Sequence, residues 1–330
     1  MRTLEIGKNQ AGQRLDKYLK KYFREAPDSF LYRMLRKKNI LLNEKKASGG
    51  EKLKEGDTVR LYLAEETIEK FRGNPSMSAP RPERKRVSLD VIYQDEDVIF
   101  INKPAGMLSQ KAGDKDISLV EYLIGYLLDT GALTREELDT FRPSVCNRLD
   151  RNTSGLVLAG KSLKGLQELS LALKERTLKK YYICLVKGVL EEPGYCRGYL
   201  TREKTFSQVR IQKDAPEGAS PVETAFVPLW NDGKNTLLKV ELITGKTHQI
   251  RSHMASLGYP LAGDPKYGDA GWNRELAKRY GLKRQFLHAY ELDFSGLDGC
   301  LPNLEKSRFT APLPKDLTRV LKNMQCPLTL

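Results

Sequence analysis

Apolar residues along this chain follow two rhythms, and the change from one to the other divides it. Near the start, Leu15, Tyr18, Leu19 and Tyr22 recur at helical spacing, with basic residues on the other faces. A second short helix is expected over 29–37, opened by Ser29 as N-cap, and residues 40–43 and 57–63 read as short strands. Residues 1–64 are therefore expected to form a small unit. Residues 65–86 read as a basic linker, because Asn74 to Pro82 is poor in apolar residues and rich in Pro and Ser. From 87 to 330 strand-like runs dominate, at 91–93, 98–102, 156–160, 180–188, 207–212, 222–229 and 236–243. Amphipathic helices interrupt them after Ser118 and over 163–175, and residues 131–143 form a polar excursion. In the run through Tyr182, alternation places Tyr182, Cys184 and Val186 on one face and Tyr181, Ile183 and Leu185 on the other. Strand after strand with short turns predicts an α+β fold, a large mixed and mainly antiparallel sheet plus the small N-terminal unit.

Composition narrows the class. The chain is 40% hydrophobic and has no apolar run of the ~20 residues a membrane helix needs, which predicts a soluble protein. Met1 to Glu5 carries no signal-peptide pattern, so a cytoplasmic location is expected. Cys146, Cys184, Cys196, Cys300 and Cys326 are widely spaced without a C-x-x-C pair, which reads as free thiols in a reducing compartment, with neither a disulfide frame nor a zinc site. The net charge of +14 is unevenly placed. Residues 1–86 hold 22 Lys and Arg against 12 Asp and Glu, whereas the remainder holds 34 against 30. A basic front end on a nearly balanced body suggests a polyanion-binding module, although a solvated basic face accounts for the same count.

The chemistry concentrates in Asn147-Arg148-Leu149-Asp150-Arg151-Asn152-Thr153-Ser154-Gly155. Val145 leads in and the apolar run from Leu156 leads out, so a polar turn between two strands is expected. Asp150 lies between Arg148 and Arg151, and cationic neighbours favour the ionised carboxylate, which on a loop held by strands can act as nucleophile or base. The same composition also describes a surface ion pair. His248, His253 and Asp264 invite a metal-hydrolase reading, but the i,i+5 spacing splays the two rings and H-E-x-x-H is absent.

The central stretch resembles the R-L-D-x-x-T-S-G segment of the RluA-type pseudouridine synthases. Other segments resemble that family in the same order. They are Lys103-Pro104-Ala105-Gly106; K-x-Y-x-A-x-V-x-G at 180–188, with Cys184 for Ala; T-G-R-x-H-Q-I-R-x-H at 244–253, with Lys246 for Arg; G-x-P-L-x-G-D-x-x-Y-G at 258–268; and 287–290 and 309–317 near the end. The N-terminal unit resembles the alpha-L RNA-binding motif through Arg14-Leu15-Asp16, Arg33, Arg36-Lys37-Lys38, Leu42-Asn43 and Gly56-Asp57, with Glu44 where a glycine is usual. The resemblance implies isomerisation of uridine to pseudouridine without cofactor or metal. It implies Asp150 as the catalytic residue, Arg251 as its salt-bridge partner, Tyr182 stacking on the base or relaying a proton, and Arg148 assisting base flipping. Lys180, Arg14, Arg33, Arg36, Lys37 and Lys38 are the implied RNA-binding residues. Asn147 stands where many relatives have His. The basic N-terminal module and the motif spacing point to the RluC-like branch, hence to large-subunit ribosomal RNA or its precursor particle as partner; a monomer is the default expectation. Whether Asp150 attacks C1′ or removes the C2′ proton stays open. The alternative is a non-catalytic RNA-binding ribosome-assembly factor, whose RNA affinity would ignore loss of Asp150.

Overall fold

Seven consecutive buried residues, Ser154–Gly160, form a strand inside the larger of two sheets. The computed structural model describes residues 1–73, 88–202, 209–212, 214–215, 217–297 and 301–330. Among these the large sheet has eleven strands. Nine run in the order Val209–Gln212, Gly194–Arg202, Ser220–Asn231, Asn235–Leu242, Lys179–Lys187, Leu287–Asp293, Ser154–Gly160, Val98–Lys103 and Val91–Gln94. Two short strands, Arg308–Thr310 and Ser144–Val145, pair beside them. Ser154–Gly160 and Leu287–Asp293 run parallel, and the other ladders are antiparallel. The sheet is mixed and mainly antiparallel, as the strand rhythm predicts.

Alternation along the strands explains why both faces are covered. Tyr182, Cys184 and Val186 pack with Ile99, Ile101, Val157 and the helix Leu119–Asp129. Ile183 and Leu185 face the opposite layer, where Leu276, Leu317 and Val320 come from the helices Ala270–Tyr280 and Lys315–Asn323. Ser118 and Glu121 form the capping box of the first of these helices. Gly155 permits the parallel pairing. Its φ is +111°, and a Cβ there would lie 2.2 Å from the carbonyl oxygen of Ala289.

The first 72 residues build a second, four-stranded antiparallel sheet in the order Arg2–Glu5, Thr58–Leu61, Ile40–Leu42, Lys45–Lys46. Helices Leu15–Tyr22 and Asp28–Arg36 bury Leu15, Leu19, Phe30 and Leu35 against it. The second helix starts one residue before the expected Ser29, because the Pro27 carbonyl accepts from the N–H groups of Phe30 and Leu31. Part of the expected linker is helical. Glu65–Arg72 has glutamates in its first turn and Lys70 and Arg72 in its last, which suits the helix dipole. It also seats Ile68 in the small core and Phe71 against Phe30. The Asn74 to Pro82 stretch and the basic residues to Arg86 lie outside the described residues, as do residues 207–208 of the expected 207–212 strand.

The polar excursion does more than connect. It contains the short helix Glu137–Thr140, and there Asp139 pairs with Arg24 at 2.7 Å and Arg72 at 3.1 Å. Buried Gln10 donates to Thr140. The N-terminal unit thus rests on this segment. Cys146, Cys184, Cys196 and Cys326 are free, and Cys300 is outside the described residues. No described helix is long and apolar enough to cross a membrane.

Candidate active site

The Asp150 turn is anchored by its own buried residues. Leu149 is buried and exchanges hydrogen bonds with Ser109: its N–H donates to Oγ, and Oγ donates to its carbonyl, both at 3.0 Å. The N–H of Thr153 closes the turn on the Asp150 carbonyl. Asn147 does not face Asp150. Its amide spans the strand that follows, donating to the Leu156 carbonyl and accepting from the N–H of Leu158 at 2.7 Å. The residue replacing the usual His is therefore a backbone clamp.

Beneath the turn lies Lys103, with no solvent exposure. Its ammonium donates to the carbonyls of Pro104, Met107 and Arg151, tying two loops together. Burial, reinforced by Arg284, pushes its pKa down to about 7, although Asp150 pulls the other way. Behind the turn, Arg284 donates to the Asn152 carbonyl and Ser154 Oγ while pairing with Asp316. Gln285 donates to Thr153 Oγ1. His288 Nε2 meets the Ala311 carbonyl, so it carries the proton, and Nδ1 accepts from Ser154. Burial pushes this histidine down to about 4. A cavity of about 340 Å3 opens here among Gly106, Asn152, Arg284 and Arg319, and Asp150 is not on its wall.

The Asp150 carboxylate points to the other side. Oδ2 accepts from Arg251 Nη1 at 2.7 Å, and His248 Nε2 stands 3.7 Å from the same oxygen. Oδ1 has no partner among the described residues. Arg251 is buried and also grips Asp264 through Nε and Nη2 at 2.7 and 2.9 Å. Burial works against the Arg251 charge, but the hydrogen bonds and charges of Asp264, then of Asp150, outweigh it and raise its pKa. Burial likewise opposes the Asp264 charge; Arg251 and the N–H groups of Lys266 and Tyr267 outweigh it and lower its pKa. The result is a chain of charge, Asp264 to Arg251 to Asp150, rooted in the core.

Tyr182 is buried beside this chain, and its hydroxyl makes no hydrogen bond to a described residue. Burial and then the Asp150 charge raise its pKa, so at neutral pH it is a phenol able to donate. Lys180 lies two residues back, half-buried, its pKa lowered by burial and by Arg176. It is not in contact with Asp150. Arg148 is exposed, without an ion pair among the described residues. Arg151, expected to flank Asp150 electrostatically, instead donates to the Gly106 carbonyl.

Arg251 is carried by the helix Gln249–Ser256. His248 is the N-cap in a left-handed conformation, and the Gln249 side chain turns back to the Lys246 N–H and Thr244. The residues of the metal reading are engaged otherwise: His253 with Thr224, His248 with Tyr267, Asp264 with Arg251. Among the described residues no three His, Cys, Asp or Glu side chains come together as ligands.

The pattern of the family described as RNA pseudouridylate synthase matches residues 97–256, the segment that holds Lys103, Asp150, Tyr182 and Arg251. The ribosomal large subunit pseudouridine synthase C of Vibrio parahaemolyticus is 32% identical over 330 residues, covering 98% of this chain and 96% of that one. The chain belongs to the RNA pseudouridine synthases. The Escherichia coli protein of the same name is 31% identical, over 98% of this chain and 97% of its own. The fold agrees: human RNA pseudouridylate synthase domain containing 4 superposes with a TM-score of 0.58 at 20% identity, covering 73% of this chain and 94% of that one.

The synthase is thus an isomerase in which a turn carries one carboxylate, a helix brings a buried guanidinium onto it, and a sheet strand carries a buried phenol nearby. Sequence reasoning did not find Lys103, Arg284 or His288 as supports of the turn. The signal for Lys103 was a lysine closing a mostly apolar strand just before Pro-Ala-Gly.

Proposed function

We propose that the synthase isomerises uridines of large-subunit ribosomal RNA, with Asp150 as the catalytic residue. The RNA class is supported by the relatives' names and by the near full-length match to them. The observation that carries the catalytic assignment is the asymmetry of the carboxylate: Arg251 holds Oδ2, whereas Oδ1 has no partner among the described residues. Isomerisation breaks C1′–N1, turns the uracil and joins C5 to C1′, with the C5 proton lost and N1 protonated. The bare oxygen serves either opening step, attack on C1′ or removal of the C2′ proton. Tyr182, kept a phenol by burial and by the nearby Asp150 charge, would supply a flat face for the base and a proton to relay. Arg148, exposed on the turn, would enter the space that the extruded base leaves, and Lys180, two residues before Tyr182 on the strand Lys179–Lys187, would contact the RNA backbone.

The N-terminal unit acts as an RNA grip. Arg33, Arg36, Lys37 and Lys38 are exposed and form no ion pair among the described residues. Arg14 serves it differently, since its guanidinium forks onto Asp16 at 2.7 and 3.1 Å. We place the enzyme in the cytoplasm as a monomer, with a small RNA-binding unit at 1–64, a linker at 65–86 and the catalytic domain at 87–330.

Tritium release from ribosomal RNA carrying 5-tritiated uridine tests the reading. Wild type should release tritium, and Asp150→Asn should bind the same RNA but release none. Full release by Asp150→Asn would remove Asp150 from the mechanism. No release by either protein, on naked RNA and on subunit particles, would favour an assembly factor.

A further inference from the structure

His248 is built into the site in a way that the RNA-synthase assignment does not use. Its backbone is left-handed, φ +55° and ψ +19°, a conformation that a residue with a Cβ adopts at a cost. Such strain persists where the surroundings hold it, and here they aim the ring. Nδ1 lies 3.0 Å from the Tyr267 hydroxyl, and Nε2 faces Asp150 Oδ2 at 3.7 Å. Burial, with Arg251 and Lys266 nearby, lowers its pKa against the pull of Asp150 and Asp264, so the ring is neutral at pH 7 and has one N–H. A bare Nε2 lone pair would repel the carboxylate. The proton therefore belongs on Nε2, with Nδ1 accepting from Tyr267.

We infer that His248 is a positioning residue for the isomerisation: its Nε2–H and the Arg251 guanidinium together hold Oδ2 of Asp150 and leave Oδ1 to meet the substrate. The 3.7 Å approach becomes a hydrogen bond when RNA closes the site, as substrate-free contacts tighten in reactive complexes. The inference rests on Asp150 being catalytic.

Single-turnover tritium release, with RNA affinity measured alongside, tests it in four full-length variants. Asparagine tolerates the left-handed conformation best after glycine, so H248N keeps the backbone and removes the Nε2 donor. Its rate constant should fall roughly ten- to a hundredfold with RNA affinity unchanged, the size expected of a misaimed reacting group. H248Q, whose amide N–H reaches the Nε2 position, should recover to within about threefold of wild type, and Y267F, which frees the tautomer, should lie between. A wild-type rate in H248N, or H248Q as slow as H248N at equal melting temperature, overturns the role. Should H248Q not fold, Y267F decides, and a wild-type rate there overturns it equally. D150N separates the two levels. Activity in D150N removes the catalytic reading itself, whereas a dead D150N beside a wild-type H248N removes only this inference.

Discussion

Two sets of cations in this synthase carry the same charge and are arranged in opposite ways. In the N-terminal unit, Arg33, Arg36, Lys37 and Lys38 stand on the surface without ion pairs among the described residues. At the proposed active site, Arg251 is buried with two carboxylates on it, and Lys103 is sealed beneath three carbonyls. Exposed cations cost the fold little and remain available to phosphates, which attract them over a Debye length and exchange easily. Buried ones are costly to desolvate, and each fixes the direction of whatever it touches. The first arrangement suits gripping a flexible polyanion. The second suits aiming a single oxygen.

The contrast is broken most severely at Arg251. Arg251→Met leaves Asp264 fully buried without its counter-ion, which should cost about 3–5 kcal/mol in urea unfolding and abolish tritium release. Adding Asp264→Asn removes the stranded charge while keeping an acceptor for the Lys266 and Tyr267 N–H groups. The double variant should regain more than half of the lost stability and none of the activity. A single variant that loses under ~1 kcal/mol would mean that the chain of charge does not support the fold.

Lys103 tests the same idea through pH. Its pKa is pushed down to about 7 in the fold, against 10.5 for an ordinary lysine. Below pH 7 both states hold the proton, and the fold bears the cost of burying it. Between 7 and 10.5 the unfolded chain binds more protons, so the unfolding free energy rises with pH. Unfolding curves from pH 6 to 10 should therefore climb more steeply for wild type than for Lys103→Met, by an amount on the order of a few kcal/mol across the range. Parallel curves would mean that the three carbonyls hold the charged form through the whole range.

These two residues also mark what the sequence could reveal. The sheet was legible because alternation is local: Tyr182 and Ile183 fall on opposite faces, as their spacing requires. The strand–turn–strand around Asp150 was legible for the same reason. Partnerships were not. Local pattern offered Arg148 and Arg151 as neighbours of the carboxylate, yet one is solvated and the other bonds Gly106. The partner it has, Arg251, is 101 positions away and was named only through the family resemblance. Lys103 acts on backbone carbonyls, and Arg284 on the Asn152 carbonyl and on side chains far from it in sequence, so the sequence pattern names the partners of neither. The helix Glu65–Arg72 was passed over because its two apolar residues, Ile68 and Phe71, are outnumbered by charges that happen to suit a helix.

On the exposed side of the comparison the expected effect is smaller and of a different kind. Replacing Arg33, Arg36, Lys37 and Lys38 together by Ala should change unfolding free energy by no more than about 0.5 kcal/mol per site. RNA binding should weaken, and the slope of log affinity against log salt should fall by roughly 0.7–0.9 for each phosphate no longer neutralised. The single-turnover rate at saturating enzyme should stay near wild type if, as proposed, these residues grip RNA and do not aim the carboxylate. A lowered rate at saturation would merge the two classes of cation.

The finest test concerns the hairpin that carries this grip. Asn43 and Glu44 have φ of +50° and +62°, the two-residue turn whose second position favours glycine. Asn43 is well suited to the turn: its side chain accepts from the Thr58 N–H and donates to Asp57, both at 2.8 Å. Glu44 has no such compensation beyond an exposed pair with Arg60, worth little in solvent. Glu44→Gly should therefore raise the unfolding free energy by roughly 0.5–1 kcal/mol, the left-handed penalty removed less the extra entropy of a glycine in the unfolded chain. It should also free Arg60 for phosphate and leave the tritium-release rate untouched. A loss of stability would show that the Arg60 pair, not the backbone, sets the balance in this turn, and that even an exposed cation of the small unit is held for structure.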